Sequence, residues 1–260
     1  MPHADLAGVR LWYRDSGGAG AGVVFLHAGF GHSEFFEAFQ LPAFAAAGYR
    51  AIAYDRRGYG RSQSVSEEGD PVAAADDLHA LVNHLKLGPF HLVATAAGGI
   101  VAVDYALTHV KQLRSLVIAN SIMGVQDAEY LELGRRLRPP EFEQLPHSFR
   151  ELGPEYRAAN PQGVTHWIEI ERRTRHDVRP TRGQAPRKRI TFASLAGIDV
   201  PALLLTGDAD LYSPPTAMRL CAAHLPNARF ESLPAVGHSA FWEQPEAFNR
   251  LVLDFIASVA

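Results

Sequence analysis

Hydrophobic residues in this chain follow two spacings, and the two alternate. Short runs are apolar nearly throughout: Val23 to Leu26, Tyr49 to Tyr54, His91 to Thr95, Leu113 to Ala119 and Pro201 to Thr206. Runs of that length predict strands buried on both faces, as in a parallel sheet covered on each side. Between them, apolar residues recur at helical intervals. Val72, Leu78, Leu81, Val82 and Leu85 fall near one face of a helix predicted over Pro71 to Leu87, whose proline suits the first turn. Further helices are predicted over Ala97 to His109 and Glu246 to Ala257. Val9 to Asp15 alternates apolar and polar, as an early edge strand would, and Arg229 to Leu233 reads as one more strand.

This alternation predicts an α/β architecture: a mostly parallel, doubly wound sheet with helices on both sides. From about Gly124 to Arg189 the alternation breaks. The stretch is helical in flavour but interrupted by Pro139, Pro140, Pro146, Pro154, Pro161, Pro180 and Pro186, and it predicts an inserted cap. The expected division is a core of residues 1–123 and 191–260 and a helical cap over 124–190.

Composition narrows the function classes. The chain has 260 residues, 47% of them hydrophobic, which is ordinary for a globular protein with a sizeable core. A net charge of -3 argues against nucleic acid or a membrane surface as partner and leaves a small molecule. The single cysteine, Cys221, excludes an intramolecular disulfide and weakens any Cys-based metal site. Gly29-x-Gly31 is too short for a dinucleotide fingerprint, so no cofactor is expected. The N-terminus lacks a basic start followed by an apolar run. No segment approaches the roughly 20 apolar residues of a membrane span. A soluble, cytoplasmic protein is predicted.

Parallel sheets place ligands at the carboxyl ends of their strands. Four such ends carry suggestive residues: His27 to Gly31, Thr95 to Gly99, Gly207 to Asp210 and Val236 to Ser239. On these residues the chain resembles a capped α/β-hydrolase of the esterase and C–C hydrolase kind, along essentially its whole length. His27-Ala28-Gly29 is similar to that family's oxyanion loop. Asp55-x-Arg57-Gly58-x-Gly60-x-Ser62 is similar to its turn after the fourth strand. Gly207-Asp208-Ala209-Asp210-x-x-x-Pro214 resembles its acid loop, and Gly237-His238 its histidine loop. Each motif alone is weak, whereas four in the family's order are specific. The resemblance implies Asp210, with Asp208 as fallback, as the acid and His238 as the base. It also implies an oxyanion hole from the backbone N–H groups of Gly29 and Ala97.

The departure lies in "HLVATAAGGI", residues 91 to 100. The family's junction of strand and helix carries Gly-x-Ser-x-Gly, and its serine attacks the substrate. Here the frame reads Ala94-Thr95-Ala96-Ala97-Gly98. Ala96 takes the nucleophile position, and a methyl group attacks nothing. Thr95 should point about one residue away from the elbow tip, and neither Ser62 nor Ser239 has the elbow's setting. Two accounts stay open: a serine exchanged for alanine at residue 96, or a natural protein without it. Ala94, which also departs from the commonest pattern, tilts towards the second.

Asp210 and His238 remain, and a carboxylate orienting an imidazole is the working part of a general base. The leading expectation is an enzyme in which His238 activates water, or deprotonates the substrate, without an acyl-enzyme. Its substrate would be a small, intrinsically reactive carbonyl compound: a dicarbonyl cleaved at carbon–carbon, or an activated ester or lactone. The alternatives are a serine esterase or C–C hydrolase inactivated at residue 96, and a non-catalytic ligand-binding protein. The last has no use for an acid–histidine pair. His27 is expected to brace its loop, while His32, Glu34 and Trp242 are candidates for lining the pocket. Between residues 135 and 189, 13 basic residues face 7 acids, a surplus of +6 that leaves about -9 for the rest. A positive lid would favour an anionic substrate. Against that stands a solvated helix face with pairs such as Glu169 to Arg173 and Glu171 to Arg175.

Overall fold

The computed structural model describes residues 3–64, 72–176 and 184–259. Within them one nine-stranded sheet contains β1 (His3–Leu6), β2 (Val9–Asp15), β3 (Gly22–Leu26), β4 (Arg50–Tyr54), β5 (Gln63–Ser64), β6 (Phe90–Thr95), β7 (Leu113–Ala119), β8 (Ala202–Gly207) and β9 (Ala228–Leu233). The spatial order is β1-β2-β4-β3-β6-β7-β8-β9, with β5 paired to β2. From β4 across to β9 every pairing is parallel. The β1–β2, β2–β4 and β2–β5 pairings are antiparallel. The mostly parallel α/β architecture is therefore present.

One expectation needs correction. Val9–Asp15 is not an edge strand, because it lies between β1 and β4. Its alternation reflects burial on one face: Val9 and Leu11 are buried while Arg10 is exposed. A period of two reports which face meets the core and says nothing about lateral position.

The continuous apolar strands feed two cores, one on each face. Val24, Leu26, Leu92, Ala94, Leu116, Ile118, Ala202 and Leu204 pack on one side. The helices Ala74–His84, Gly98–His109 and Pro215–Ala222 cover that side. Val23, Phe25, Val93, Val117, Ala119, Leu203 and Leu205 point the other way, towards Gln40–Ala46 and Pro245–Ser258. Each fully buried Val, Leu or Phe contributes on the order of 1.5–3 kcal/mol, so this two-sided pattern holds the sheet in register. The helix predicted over Pro71 to Leu87 is observed as Ala74–His84, and Pro71 lies outside the described residues.

Between β7 and β8 the chain runs through the helices Ala128–Leu137, His147–Glu151, Pro154–Ala159 and Pro161–His176. Three of the prolines that interrupt the sequence pattern stand at the starts of these elements. Pro154 and Pro161 are first helical residues and Pro146 is an N-cap, positions where a missing N–H costs nothing. Leu152, Trp167 and Ile170 of this segment are buried in the second core, which continues into the insertion.

Candidate active site

β6 ends at Thr95 and the next helix begins at Gly98, so Ala96 and Ala97 form the turn between them. Ala96 has φ +48°, in the left-handed region that disfavours a side chain. Neighbours hold it there: its N–H donates to Ala119 O at 3.0 Å, and its carbonyl accepts from Gly99 N–H at 3.0 Å. Gly98 is required by close approach. A Cβ there would sit 2.7 Å from Leu26 O and 2.9 Å from His27 O, both backbone atoms. The turn between β6 and the following helix is thus strained, with the Ala96 methyl group at its tip. Thr95 is fully buried and its hydroxyl donates to Leu26 O at 3.3 Å, which turns it away from any pocket.

The His27-Ala28-Gly29 loop lies beside this turn. A Cβ built on Gly29 would be 3.4 Å from the Ala97 methyl. Among the described residues, the amides of Gly29 and Ala97 donate to no protein acceptor. His27 braces the loop: its Nδ1–H donates to Ala28 O at 2.7 Å and its Nε2 accepts from Arg56 N–H at 3.0 Å. Burial, aided by the Arg56 charge, holds this imidazole well below its ordinary range, so it stays neutral.

The motif after β4 is architectural. Asp55 accepts from Ser33 N–H and Arg61 N–H, each at 2.8 Å, and so ties two loops together. Ser62 donates to Asp55 O at 2.6 Å and accepts from Trp12 N–H at 2.8 Å. Arg57 makes a two-pronged pair with Asp77 at 2.9 and 2.8 Å.

At the far strands, His238 and Asp210 meet. His238 Nδ1 lies 2.9 Å from both Asp210 oxygens, and both residues are buried. Asp208, the fallback acid, instead accepts from Ala235 N–H at 2.7 Å. Asp210 also accepts from Asn120 Nδ2 at 2.9 Å, Ser213 Oγ at 2.9 Å, Thr206 Oγ1 at 3.1 Å, and the N–H groups of Tyr212 and Ser213. Burial pushes this carboxyl up. The facing imidazole and the bonds from His238, Asn120 and Ser213 outweigh it and hold Asp210 well below the carboxylate range. For His238 burial acts downward, and the carboxylates of Asp210 and Glu151 outweigh it, so the imidazole titrates above the ordinary 6.5. With Nδ1 committed to Asp210, Nε2 is the nitrogen left for chemistry.

Sequence reasoning missed several residues of this site. Asn120, with φ +51°, follows the last apolar residue of β7 and clamps Asp210 and Gly237 O. A polar residue closing an apolar strand at its carboxyl end was the available signal. Glu151 and Glu243 had none. Glu151 O accepts from His238 N–H at 2.8 Å. The Glu243 carboxylate accepts from Gly153 N–H at 2.9 Å and from Gly237 N–H at 3.0 Å, joining the inserted segment to the histidine loop.

Burial raises Glu243 from the ordinary 4.5 to about 7, although the N–H groups of Gly237, Gly153 and Ser239 oppose this. The folded state therefore keeps a proton that the unfolded chain has released, and stability falls as pH rises between about 4.5 and about 7. Urea unfolding across that window should show a flatter slope in Glu243→Gln than in the unaltered protein. Equal slopes would remove Glu243 as the source.

The remaining candidates divide between packing and surface. Trp242 is buried against Phe35 and Phe39 at centroid distances of 5.6 and 5.7 Å. His32 is buried 3.4 Å from Ile170 O. Glu34 pairs with Arg173. Of the basic surplus, buried Arg150 lies beside the site, 6.0 Å from the Tyr212 ring that packs on His238 at 4.4 Å between centroids. Arg150 is held by Glu143, Arg135 by Glu132, Arg187 by Asp76, and Arg138 donates to Tyr212 O. Among the described residues Arg173 reaches Glu34 rather than Glu169, and Glu171 meets His147 at 2.8 Å, while the expected pair of Glu171 with Arg175 falls outside them. The Arg175 side chain, with Asp177, Arg179 and Arg182, lies outside the described residues. These contacts engage five of the thirteen basic residues within the chain, and an anionic substrate stays an expectation.

Known proteins resemble this chain along nearly its whole length. A BpoC protein of Mycobacterium tuberculosis (strain ATCC 25618 / H37Rv), named as a candidate non-heme bromoperoxidase, is 28% identical over 96% of this chain and 99% of its own length. A 2-hydroxy-6-oxononadienedioate/2-hydroxy-6-oxononatrienedioate hydrolase of Comamonas testosteroni is 26% identical over 97% of this chain and 93% of its own. Among solved structures, a thermophilic esterase from Thermogutta terrifontis superposes with a TM-score of 0.82 at 24% identity, covering 100% of this chain and 99% of that one. The model of the alpha/beta hydrolase family matches residues 23–251. With the Ala96 turn after β6, Asp210 after β8 and His238 after β9, the chain belongs to the alpha/beta hydrolase family.

Proposed function

We propose that this protein hydrolyses a small, intrinsically reactive carbonyl compound, cleaving the C–C bond of a dicarbonyl or an activated ester or lactone, with His238 as general base and no acyl-enzyme. The observation that carries this reading is the pairing of a buried His238–Asp210 dyad with a strained elbow whose tip is Ala96. A non-catalytic binding protein would have no reason to keep a carboxylate with so many donors aimed at it. In the proposed reaction Asp210 fixes the Nδ1–H tautomer and Nε2 takes a proton from water. That water occupies the space a serine hydroxyl would fill and adds to the substrate carbonyl. The amides of Gly29 and Ala97 bind the resulting oxyanion. Such donors are worth about 3–4 kcal/mol each when removed from other enzymes, and they survive the loss of a serine because they belong to the main chain. The tetrahedral adduct then collapses as His238 returns the proton to the leaving carbon or oxygen.

The test uses the unaltered chain. It should turn over β-diketones or activated esters while its intact mass stays unchanged after a fluorophosphonate probe. Labelling at any residue during turnover, or no turnover across such a panel, counts against the proposal.

A further inference from the structure

The bonds from Nδ1 to Asp210 hold one atom of the His238 imidazole, and hydrogen bonds tolerate tens of degrees of swing. A swing about that contact moves Nε2, across the ring, the farthest. A packed ring face is what fixes the plane. Tyr212 supplies one: its ring lies 4.4 Å from the imidazole between centroids, tilted by 41°. Tyr212 stands in the acid loop, and its N–H donates to Asp210 Oδ1 at 2.7 Å. One residue thus touches both members of the dyad, the acid through its main chain and the base through its side chain.

The inserted segment in turn holds Tyr212. Phe142 packs edge-on against its ring at 5.0 Å between centroids. The buried Arg150 guanidinium lies 6.0 Å from the Tyr212 ring and 5.5 Å from Phe142, and Glu143 pairs with it. Arg138 donates to Tyr212 O at 2.8 Å. The Tyr212 hydroxyl is buried without a protein partner among the described residues, so the ring is anchored by its faces and edges and not by its oxygen. We infer that Tyr212 is a positioning residue for the base: its ring holds the His238 imidazole in one plane, and the inserted segment fixes the histidine through it. The kinetic consequence rests on the hydrolytic reading above. The restraint on the ring does not.

The experiment therefore begins without substrate. Proton NMR follows the Nδ1–H that bridges His238 and Asp210, assigned by its loss in His238→Ala. Tyr212→Leu removes the aromatic face and spares both main-chain bonds of residue 212. Its bridging proton should exchange with water at least about tenfold faster than in the unaltered protein, because a swinging ring opens the bond. Tyr212→Phe, which returns the ring without the hydroxyl, should restore the slow exchange. Where leucine does not fold, Tyr212→Met takes its place, since its flexible chain fills irregular space. On an activated ester or dicarbonyl, kcat of the leucine variant should fall about 10- to 100-fold with little change in KM, and phenylalanine should recover it. Equal exchange with and without the ring overturns the positioning role and leaves the hydrolytic reading standing. Fast exchange in Tyr212→Phe also overturns it, since the hydroxyl would then be the restraint. Fast exchange in Tyr212→Leu alone, with no turnover by the unaltered protein, removes the reaction and keeps the restraint.

Discussion

Replacing His238 by alanine is expected to lower turnover of an activated dicarbonyl or ester by about 10²–10⁴-fold, the usual contribution of a placed general base. The loss should fall on kcat, because the imidazole acts on the proton in flight and not on substrate binding. In the unaltered protein the same group sets the pH profile. His238 works as a base only when neutral. Its imidazole is held above 6.5 by Asp210 and Glu151 against the opposing effect of burial, so activity should still be rising as pH passes through the range just above 6.5. The rise should vanish from whatever residual activity His238→Ala retains. A variant that keeps full activity would leave the dyad as architecture and revive a binding role for the fold.

Ala96→Ser is the second large effect expected, and it runs in the direction of gain. The turn already holds residue 96 at φ +48°, fixed by Ala119 O and Gly99 N–H. A serine there needs no new backbone strain, and its hydroxyl would extend from a turn already flanked by the unengaged amides of Gly29 and Ala97. Fluorophosphonate labelling should appear in the intact mass at one equivalent. Activated-ester turnover should rise about 10²-fold or more, short of the ~10⁶ that an intact nucleophile–base unit is worth in a fully evolved serine protease. Labelling together with an inert alanine form would identify residue 96 as the position of a lost serine and set the water mechanism aside. No labelling would mean that His238 Nε2 and the elbow tip are not aligned for nucleophilic catalysis.

Much of this site could be read from the chain. The apolar runs ending at Leu26, Thr95, Ala119 and Thr206 marked the strand ends where chemistry sits, because a strand buried on both faces must be apolar throughout. The order of elbow, acid and histidine picked out Asp210 and His238. The absent serine at residue 96 was visible as a letter. What the sequence determined, then, was periodic or ordered: which segments are strand or helix, the parallel sheet they build, and the residues held by motif spacing.

The rest depended on contacts between residues far apart in the chain, which leave no local pattern. That Ala96 stays in a left-handed conformation is decided by Ala119 O, one strand over. The choice of Asp210 over Asp208 is decided by where Ala235 N–H and His238 Nδ1 lie. Asn120 reaches Asp210 across 90 positions. Local spacing could count the basic residues of the insertion but not pair them; folding places Arg173, Arg187, Arg135 and Arg150 on Glu34, Asp76, Glu132 and Glu143.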